Sequence, residues 1–282
     1  MDARWIELLG ALAVGGAVGW VGYALGALTP GAALALALSS GLTGLSGGWA
    51  WNAVLLAAVL SAVLWRRYRV KRQPVRARRR VGWLALTAGL AWPVVLAALS
   101  RPSEQGERLM VGFAGAVAVY ASDSWATELG LLSLQPPRTL ISRRRVAAGT
   151  PGAMSLLGNV AALTGAWLVG LVTLATRLLQ QTLRGAAGWD RNDLWLPLCV
   201  ALGGVAGSLV DSFLGATAQA LYYCEQCGEY CETAQHDCGR RAVPVRGWPW
   251  LTNEGVDLAS AALGAAVEAS LFWGLARSVM PW

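Results

Sequence analysis

Four of the chain's five cysteines and its single histidine lie within fifteen residues, in the stretch YCEQCGEYCETAQHDCG. The pattern is C-x-x-C followed by H-x-C, which offers three thiolates and one imidazole, a ligand set typical of structural zinc. We therefore predict that Zn²⁺ is bound by Cys224, Cys227, His236 and Cys238, with Cys231 as a fifth candidate that could replace one of them. A segment without metal, or one with disulfide or redox chemistry, is the alternative.

A zinc site with four protein ligands leaves no open position for a substrate. The Cys/His segment, residues 222–250, is too short and polar to bury a core of its own, and a bound ion would give it shape. The prediction for this segment is therefore a scaffold, and the chemistry is expected beside it.

Three groups of acidic and amide side chains lie inside apolar segments or at their ends. A charge at membrane depth costs several kcal/mol, so such a residue indicates a functional site, although a side chain near a helix end can also reach water. The groups are Asp123 and Glu128; Asp211, Ser212 and Gln219; and Asn253, Glu254, Asp257 and Glu268. From them we predict the catalytic residues Asp123, Glu128, Asp211, Asn253 and Asp257.

A basic loop precedes a turn that is expected to lead into a helix with Pro151 in its first turn. The N–H groups and the dipole at such a helix start favour an anion. An arginine can also form two parallel hydrogen bonds to the oxygens of a phosphate. The alternative is that the arginines only anchor the loop at the membrane. The predicted phosphate-binding residues are Arg143, Arg144, Arg145, Thr150, Gly152, Ser155, Ser212 and Gln219.

Carboxylates and phosphate binders at one membrane face indicate a nucleotide with Mg²⁺, because Mg²⁺ is commonly held by one or two carboxylates and by substrate phosphates. We assign Asp123, Asp211 and Asp257 as its predicted ligands.

The elements that must position these residues are membrane-spanning helices. The chain has 282 residues, of which 55% are hydrophobic and only 14% charged, which is not typical of a soluble protein. Crossing a bilayer takes about 20 apolar residues. Eight apolar runs recur, of which the second and fifth are short: 5–28, 31–46, 49–65, 81–99, 109–121, 154–176, 194–221 and 256–276. The sequence predicts an all-α polytopic bundle of seven or eight spans with a small Cys/His knuckle.

Orientation follows from the basic residues. The run 66–80 holds nine of the 23 lysines and arginines, which predicts a cytoplasmic anchor by the positive-inside rule. Alternation then places the loop 135–152 and the Cys/His segment in the cytoplasm as well. The run lacks interleaved aromatic residues, so no nucleic-acid partner is expected. We divide the chain into N-terminal helices, 1–108, and a catalytic-type core, 109–282.

The ordered motifs SDSWATELG, GTPGAMSLLGN, GSLVDSFLGATAQ, YCEQC with CETAQHDCG, and WLTNEGVDLAS resemble those of a family of integral membrane proteins. That family includes transmembrane protein nineteen and the plant and cyanobacterial phytyl-phosphate kinase. The resemblance covers about residues 110–270. Pro151 and Ala153 depart from the family's second motif, and Glu254 and Asp257 replace its usual Asp and Asn in the last one.

The resemblance implies phosphorylation of an isoprenoid monophosphate, such as phytyl phosphate, to the diphosphate by CTP or another nucleoside triphosphate with Mg²⁺. The acceptor's second pKa is near 6, so it is already a nucleophile at neutral pH and needs no general base. The partners would be the nucleotide, the isoprenoid phosphate and the lipid bilayer. Two alternatives stay open: a CTP-dependent cytidylyltransferase acting on a lipid phosphate, and a transporter or non-catalytic membrane protein.

Overall fold

The computed structural model describes residues 3–73, 80–100, 106–185, 191–236 and 238–279. The predicted helix bundle is confirmed. Its helices are α1 (Ala3–Ala24), α2 (Pro30–Gly47), α3 (Trp49–Arg72), α4 (Trp83–Ser100), α5 (Gly106–Gly130), α6 (Leu156–Leu183), α7 (Leu196–Thr217) and α8 (Asn253–Val279). A 3-10 turn at Arg191–Trp195 precedes α7.

Seven of these helices are long and apolar enough to cross a membrane, and α2 is the described helix outside that group. Hydroxyl side chains lower its hydropathy, and the bundle satisfies one of them internally. Ser40 is fully buried, and its hydroxyl oxygen lies 2.7 Å from the carbonyl oxygen of Ala11 and 2.9 Å from Oδ1 of Asn52, within hydrogen-bond distance of both.

The fifth span is longer than its apolar run predicted. The run ends at Ala121, yet α5 continues through Asp123 and Glu128 to Gly130 and has 25 residues. The polar residues therefore belong to the last turns of a membrane helix and do not lie in a loop.

The motif-bearing helix ends meet at one end of the bundle, which we call the motif end. Arg66 of α3 binds Glu128 of α5, and Ser260 of α8 lies 3.4 Å from Asp211 of α7. The starts of α4, α6 and α8 and the ends of α3, α5 and α7 are thus gathered together. Successive spans cross a membrane in opposite directions, so the end of one helix and the start of the next lie on the same side.

Close approach between α7 and α8 depends on glycine. A Cβ atom placed on Gly207 would lie 2.8 Å from the carbonyl oxygen of Ser260, and one on Gly203 would lie 2.8 Å from that of Gly264. Small residues allow such backbone contact in membranes. The contact brings Asp211, one turn after Gly207, to the side of Ser260.

Five short strands also form at the motif end, and the sequence analysis had not predicted them. A two-stranded antiparallel ladder joins β1 (Arg138–Thr139) to β2 (Ala153–Met154). A three-stranded antiparallel sheet, in the order β4-β3-β5, is built from β3 (Leu221–Cys224), β4 (Glu229–Cys231) and β5 (Val243–Arg246). This sheet forms the body of the Cys/His knuckle.

The division of the chain at residue 108 stays a prediction. Packing crosses that boundary at several points: Arg66 and Arg69 of α3 contact Glu128 of α5, and Gly89 of α4 lies against Tyr120 of α5. The helices on the two sides of the boundary therefore share one set of contacts at the motif end.

Candidate functional site

The predicted zinc ligands are brought together by the knuckle. One ligand atom from each of Cys224, Cys227, His236 and Cys238 lies within 4.8 Å of all the others. The Sγ atoms of Cys224 and Cys238 are 3.7 Å apart. Zinc–sulfur bonds of about 2.3 Å give a tetrahedral edge of about 3.8 Å, so this spacing fits a zinc ion. These four residues form a group that could hold a metal.

Hydrogen bonding within the group changes its acidity. Nδ1 of His236 lies 3.2 Å from Sγ of Cys238, and this contact lowers the pKa of the Cys238 thiol to about 6. The hydrogen bond with Cys238 raises the pKa of Cys227 to about 12. One thiolate is thus present at neutral pH, and thiolate is the form that binds metal.

Cys231 lies outside the group of four. Its Sγ instead donates to the carbonyl of Thr233 at 3.3 Å. All five cysteines are free thiols, including Cys199, which is buried in α7.

The knuckle is tied to the helix bundle through Arg246 of β5. Its guanidinium donates to the carbonyls of Ala216, of Gly215 at 2.7 Å and of Pro151 at 3.3 Å. The first two carbonyls are at the end of α7, and the third is in the turn before α6. A cation at a helix C-terminus is stabilised by the unpaired carbonyls there. Arg246 therefore holds two motifs together.

The turn and α7 also contact each other directly. Gly152 has a φ of 72°, in the left-handed region that favours glycine. A Cβ atom on Gly215 would lie 2.9 Å from the amide nitrogen of Gly152, and one on Gly152 would overlap Ala216. A side chain at either glycine would thus push the turn away from α7.

A polar cavity of about 340 Å³ lies between this turn and the ends of α5, α6, α7 and α8. Eight of the predicted site residues line it: Asp123, Thr150, Gly152, Ser155, Asp211, Ser212, Gln219 and Asn253.

The start of α6 faces the polar cavity. Ser155 is the N-cap of α6, and its hydroxyl accepts from the amide of Gly158 at 3.0 Å. The prediction that Pro151 lies in the first helical turn is wrong, since α6 begins at Leu156 and Pro151 belongs to the preceding turn. Ser155, Gly158 and Asn159 at that helix start line the cavity, and a helix start is a place that favours an anion.

Acidic and amide residues from three helices lie around the cavity. Asp123 of α5, Asp211 of α7 and Asn253 of α8 line it, and Nδ2 of Asn253 donates to Asp257 at 3.2 Å. Oγ of Ser260 lies 3.4 Å from Oδ2 of Asp211. Within the described chain, the Cys/His residues form a group close enough to hold a metal, and these carboxylates are not part of it.

Asp257 lies in a second cavity, of about 140 Å³, between α4, α5 and α8. Asp123, Asp211 and Asn253 line both cavities. The acidic residues therefore form the common wall of a larger polar space and a smaller one.

Glu128 lies elsewhere. It is buried outside both cavities and forms ion pairs with Arg66, at 2.8 Å, and with Arg69. The role of the run 66–80 as a cytoplasmic anchor stays a prediction, and the structure adds that Arg66 and Arg69 of this run pair with a motif residue. Residues 74–79 of that run lie outside the described residues.

The arginines of the α5–α6 loop are exposed. Arg143, Arg144 and Arg145 are absent from the lining of the polar cavity, and Arg143 has a φ of 51°. Their role in binding phosphate stays a prediction.

Among the residues that line the polar cavity without having been predicted, two carry a carboxylate or an amide. Glu232, next to Cys231 in the knuckle, brings a carboxylate into the cavity, and Asn159 does the same with an amide from the first turns of α6. The sequence offered one indication for each: Glu232 follows the candidate zinc ligand Cys231, and Asn159 lies in the motif GTPGAMSLLGN.

Comparison with known proteins agrees with the motif-based expectation. The profile of the family described as integral membrane protein DUF92 matches residues 13–265. The Methanocaldococcus jannaschii protein named uncharacterized membrane protein MJ0933 is 35% identical over 107 residues, which are 38% of this chain and 39% of that protein. Protein PGR of Arabidopsis thaliana is 33% identical over 161 residues, which are 57% of this chain and 54% of that protein.

The chain thus spans about half or less of these relatives, and no solved structure matches it. Because the family profile covers most of the sequence, the chain belongs to the integral membrane protein DUF92 family.

Proposed function

We propose that the protein is a kinase that transfers a phosphoryl group from a nucleoside triphosphate to an isoprenoid monophosphate. The observation that carries this proposal is the shared acidic wall formed by Asp123, Asp211 and Asn253. A polar cavity large enough for phosphates lies on one side of it, and a smaller cavity with apolar walls lies on the other. A reaction that joins a nucleotide to a lipid phosphate requires both environments.

The oxygen donors suit Mg²⁺, which is commonly bound by one or two carboxylates together with substrate phosphates. Asp123 and Asp211 are the residues that would hold it, with Asp257 beside them. When bound, Mg²⁺ supplies positive charge that offsets the repulsion between two phosphate groups.

The remaining groups of the polar cavity orient the donor. Thr150 and Ser155 offer hydroxyls, and the N–H groups at the start of α6 favour a phosphate. An oxygen of the acceptor monophosphate attacks the γ-phosphorus, the bond from that phosphorus to the bridging oxygen breaks, and the nucleoside diphosphate leaves. The acceptor is nucleophilic at neutral pH, so the absence of a histidine from the cavity lining is compatible with the reaction.

We propose that the motif end faces the cytoplasm. Arg66 and Arg69 lie at this end together with the exposed Arg143–Arg145, which agrees with the positive-inside rule. The nucleotide, CTP or another triphosphate, would then reach the polar cavity from the cytoplasm, and the reduced thiols of the knuckle would be available for zinc.

The experiment that tests this function resolves the products by mass. Purified protein in lipid nanodiscs is given Mg²⁺, each common nucleoside triphosphate in turn, and phytyl or geranylgeranyl monophosphate. The proposal requires the isoprenoid diphosphate and a nucleoside diphosphate. A lipid that retains a nucleoside monophosphate would identify a cytidylyltransferase-type reaction, and no covalent product with any donor would contradict catalysis of this kind.

A further inference from the structure

The second cavity differs from the polar one in its walls. Its lining combines apolar residues of α4, α5 and α8 with Asp123, Asp211 and Asn253 of the shared wall. The apolar residues are Val81, Ala85, Leu86, Gly89, Val119 and Ala261. A ligand that reaches from one side to the other must have a charged end and an apolar end.

Helix α4 is locally altered where it lines this cavity. Pro93 lies inside the helix and has no N–H group, so it cannot donate to the carbonyl of Gly89, four residues earlier. Gly89 itself faces Tyr120, and a Cβ atom there would lie 2.8 Å from the Tyr120 ring. The Tyr120 ring therefore packs directly against the backbone of α4 at Gly89, and both residues line the cavity.

The seam between α4 and α8 separates the cavity from the outer surface of the bundle. Trp92 is 37% exposed, and its indole N–H donates to the carbonyl of Leu258 at 2.9 Å. Trp92 is three residues from Gly89, and Leu258 is three residues from Ala261. Residues three apart are neighbours on a helix, so the cavity lies directly behind this seam.

We propose that the second cavity holds the first isoprenoid unit of the acceptor lipid, and that the rest of its tail leaves the bundle between α4 and α8 beside Trp92. This inference rests on the proposed function, and it adds the position and route of the lipid. The phosphate end of the acceptor lies at the shared wall of Asp123, Asp211 and Asn253, facing the nucleotide in the polar cavity.

The size of the cavity supports the placement of one isoprenoid unit inside it and the rest of the tail outside the bundle. A volume of about 140 Å³ equals roughly five water molecules at about 30 Å³ each, which is room for one five-carbon unit. A longer tail cannot stay inside, and the α4–α8 seam is the exit next to the apolar wall. The tail then continues into the hydrocarbon of the bilayer.

Filling the cavity tests the proposal. Ala85→Leu adds bulk to its wall, and Ala98→Leu adds the same bulk to the exposed surface of α4 as a matched control. We expect Ala85→Leu to raise the KM for the acceptor about tenfold or more, since hydrophobic pockets discriminate by such factors per missing or extra group. The KM for the nucleotide should not change. Ala85→Val, a smaller change, serves if the leucine variant does not fold.

A binding readout separates this inference from the proposed function. Geranylgeranyl monophosphate with a diazirine on its first isoprenoid unit is irradiated with the protein in nanodiscs, without nucleotide. Crosslinks should fall on α4, α5 or α8 at the second cavity, should be lost in Ala85→Leu, and should persist in Ala98→Leu. Crosslinks confined to other helices, or unchanged by Ala85→Leu, would overturn the inference even if the enzyme makes diphosphate. Crosslinking as expected without phosphoryl transfer would instead overturn the proposed function.

Discussion

Two carboxylates on the same helix, five residues apart, are placed in opposite surroundings. Glu128 of α5 is 6% exposed and contacts Arg66 and Arg69, which are themselves 8% and 0% exposed. Asp123 lines both cavities together with Asp211, and Asp257 lines the smaller cavity. Five residues turn a helix by about 140°, so the two side chains leave α5 in different directions.

The comparison shows that depth in the membrane does not by itself identify a chemical residue. Both acids belong to one motif, and both are costly to bury as charges. Glu128 is compensated by arginines of α3 and so joins two helices. Asp123 lies in the lining of both cavities, where a bound ligand could reach it. The position of an acid relative to the cavities therefore distinguishes a structural residue from a candidate for chemistry.

The largest effect is expected on stability at Glu128. Glu128→Gln leaves two buried arginines without their counter-ion, which costs about 3–5 kcal/mol for a buried pair. Denaturation of the purified protein in detergent should show this loss. The triple variant Arg66→Met, Arg69→Met, Glu128→Leu should recover most of it, because well-packed apolar residues replace buried ion pairs at little cost. Equal losses in the single and triple variants would mean that charge pairing is not the cause.

The next effect is expected on turnover at Asp211. Asp211→Asn removes a carboxylate that would hold Mg²⁺ at the shared wall. It should slow the reaction by about 100-fold or more, because the ion's positive charge would stabilise the charge that develops on the transferred phosphoryl group. Its unfolding should change little. Asp193→Asn is the control: Asp193 is buried against Arg177 at the other end of the bundle, so its loss should lower stability and leave turnover of the folded protein intact. If both variants lost turnover and stability to the same extent, Asp211 could not be distinguished from a structural acid.

Removal of zinc should lower the activity at the cavity that Asp123 lines and should leave the ion pairs of Glu128 unchanged. Cys224→Ser with Cys227→Ser should lose the roughly one zinc per chain expected of a structural site, as measured by elemental analysis. Activity should fall between about tenfold and a hundredfold, since the knuckle holds Glu232 and Arg246 in place and a charged hydrogen bond contributes roughly 1.5–3 kcal/mol. Cys231→Ser is the matched control and should keep both zinc and activity. Full zinc content in the double variant would contradict the assignment.

A smaller effect is expected from Arg246 alone. Arg246→Gln removes the charged hydrogen bonds to the end of α7 and to the turn at Pro151, and about tenfold lower kcat/KM corresponds to the lower end of 1.5–3 kcal/mol. Zinc content should stay unchanged. Arg241→Gln, an exposed change on the same knuckle, should have no effect on kinetics. Normal kinetics in Arg246→Gln would mean that the turn is held by other contacts.

The sequence predicts some of these features well for physical reasons. The zinc ligands lie within fifteen residues, so their spacing alone indicates the site, and the apolar runs indicate the bundle. The partners of Glu128 are 59 and 62 residues away on another helix, and a pattern along the chain carries no information on such contacts. The strands of the knuckle are three or four residues long, too short for alternation of polar and apolar residues to reveal them.

The site itself was predicted in part. Each motif contributes residues to the polar cavity, because helix ends on one side of a membrane must meet. Which acid of a motif points inward depends on the rotation of its helix, and that rotation is fixed by packing such as the contact of Gly207 with Ser260. The exposed position of Arg143–Arg145 likewise depends on the course of a loop that the sequence does not determine.

The most direct test of the account follows labelled phosphate from the nucleotide to geranylgeranyl monophosphate in nanodiscs, with wild type, Asp123→Asn and Glu128→Gln measured side by side. We predict metal-dependent formation of labelled diphosphate by the wild type and about 100-fold or more slower formation by Asp123→Asn. Glu128→Gln should show near-normal turnover per folded molecule. Equal turnover in wild type and Asp123→Asn, or no labelled diphosphate from the wild type with any nucleoside triphosphate, would contradict the account.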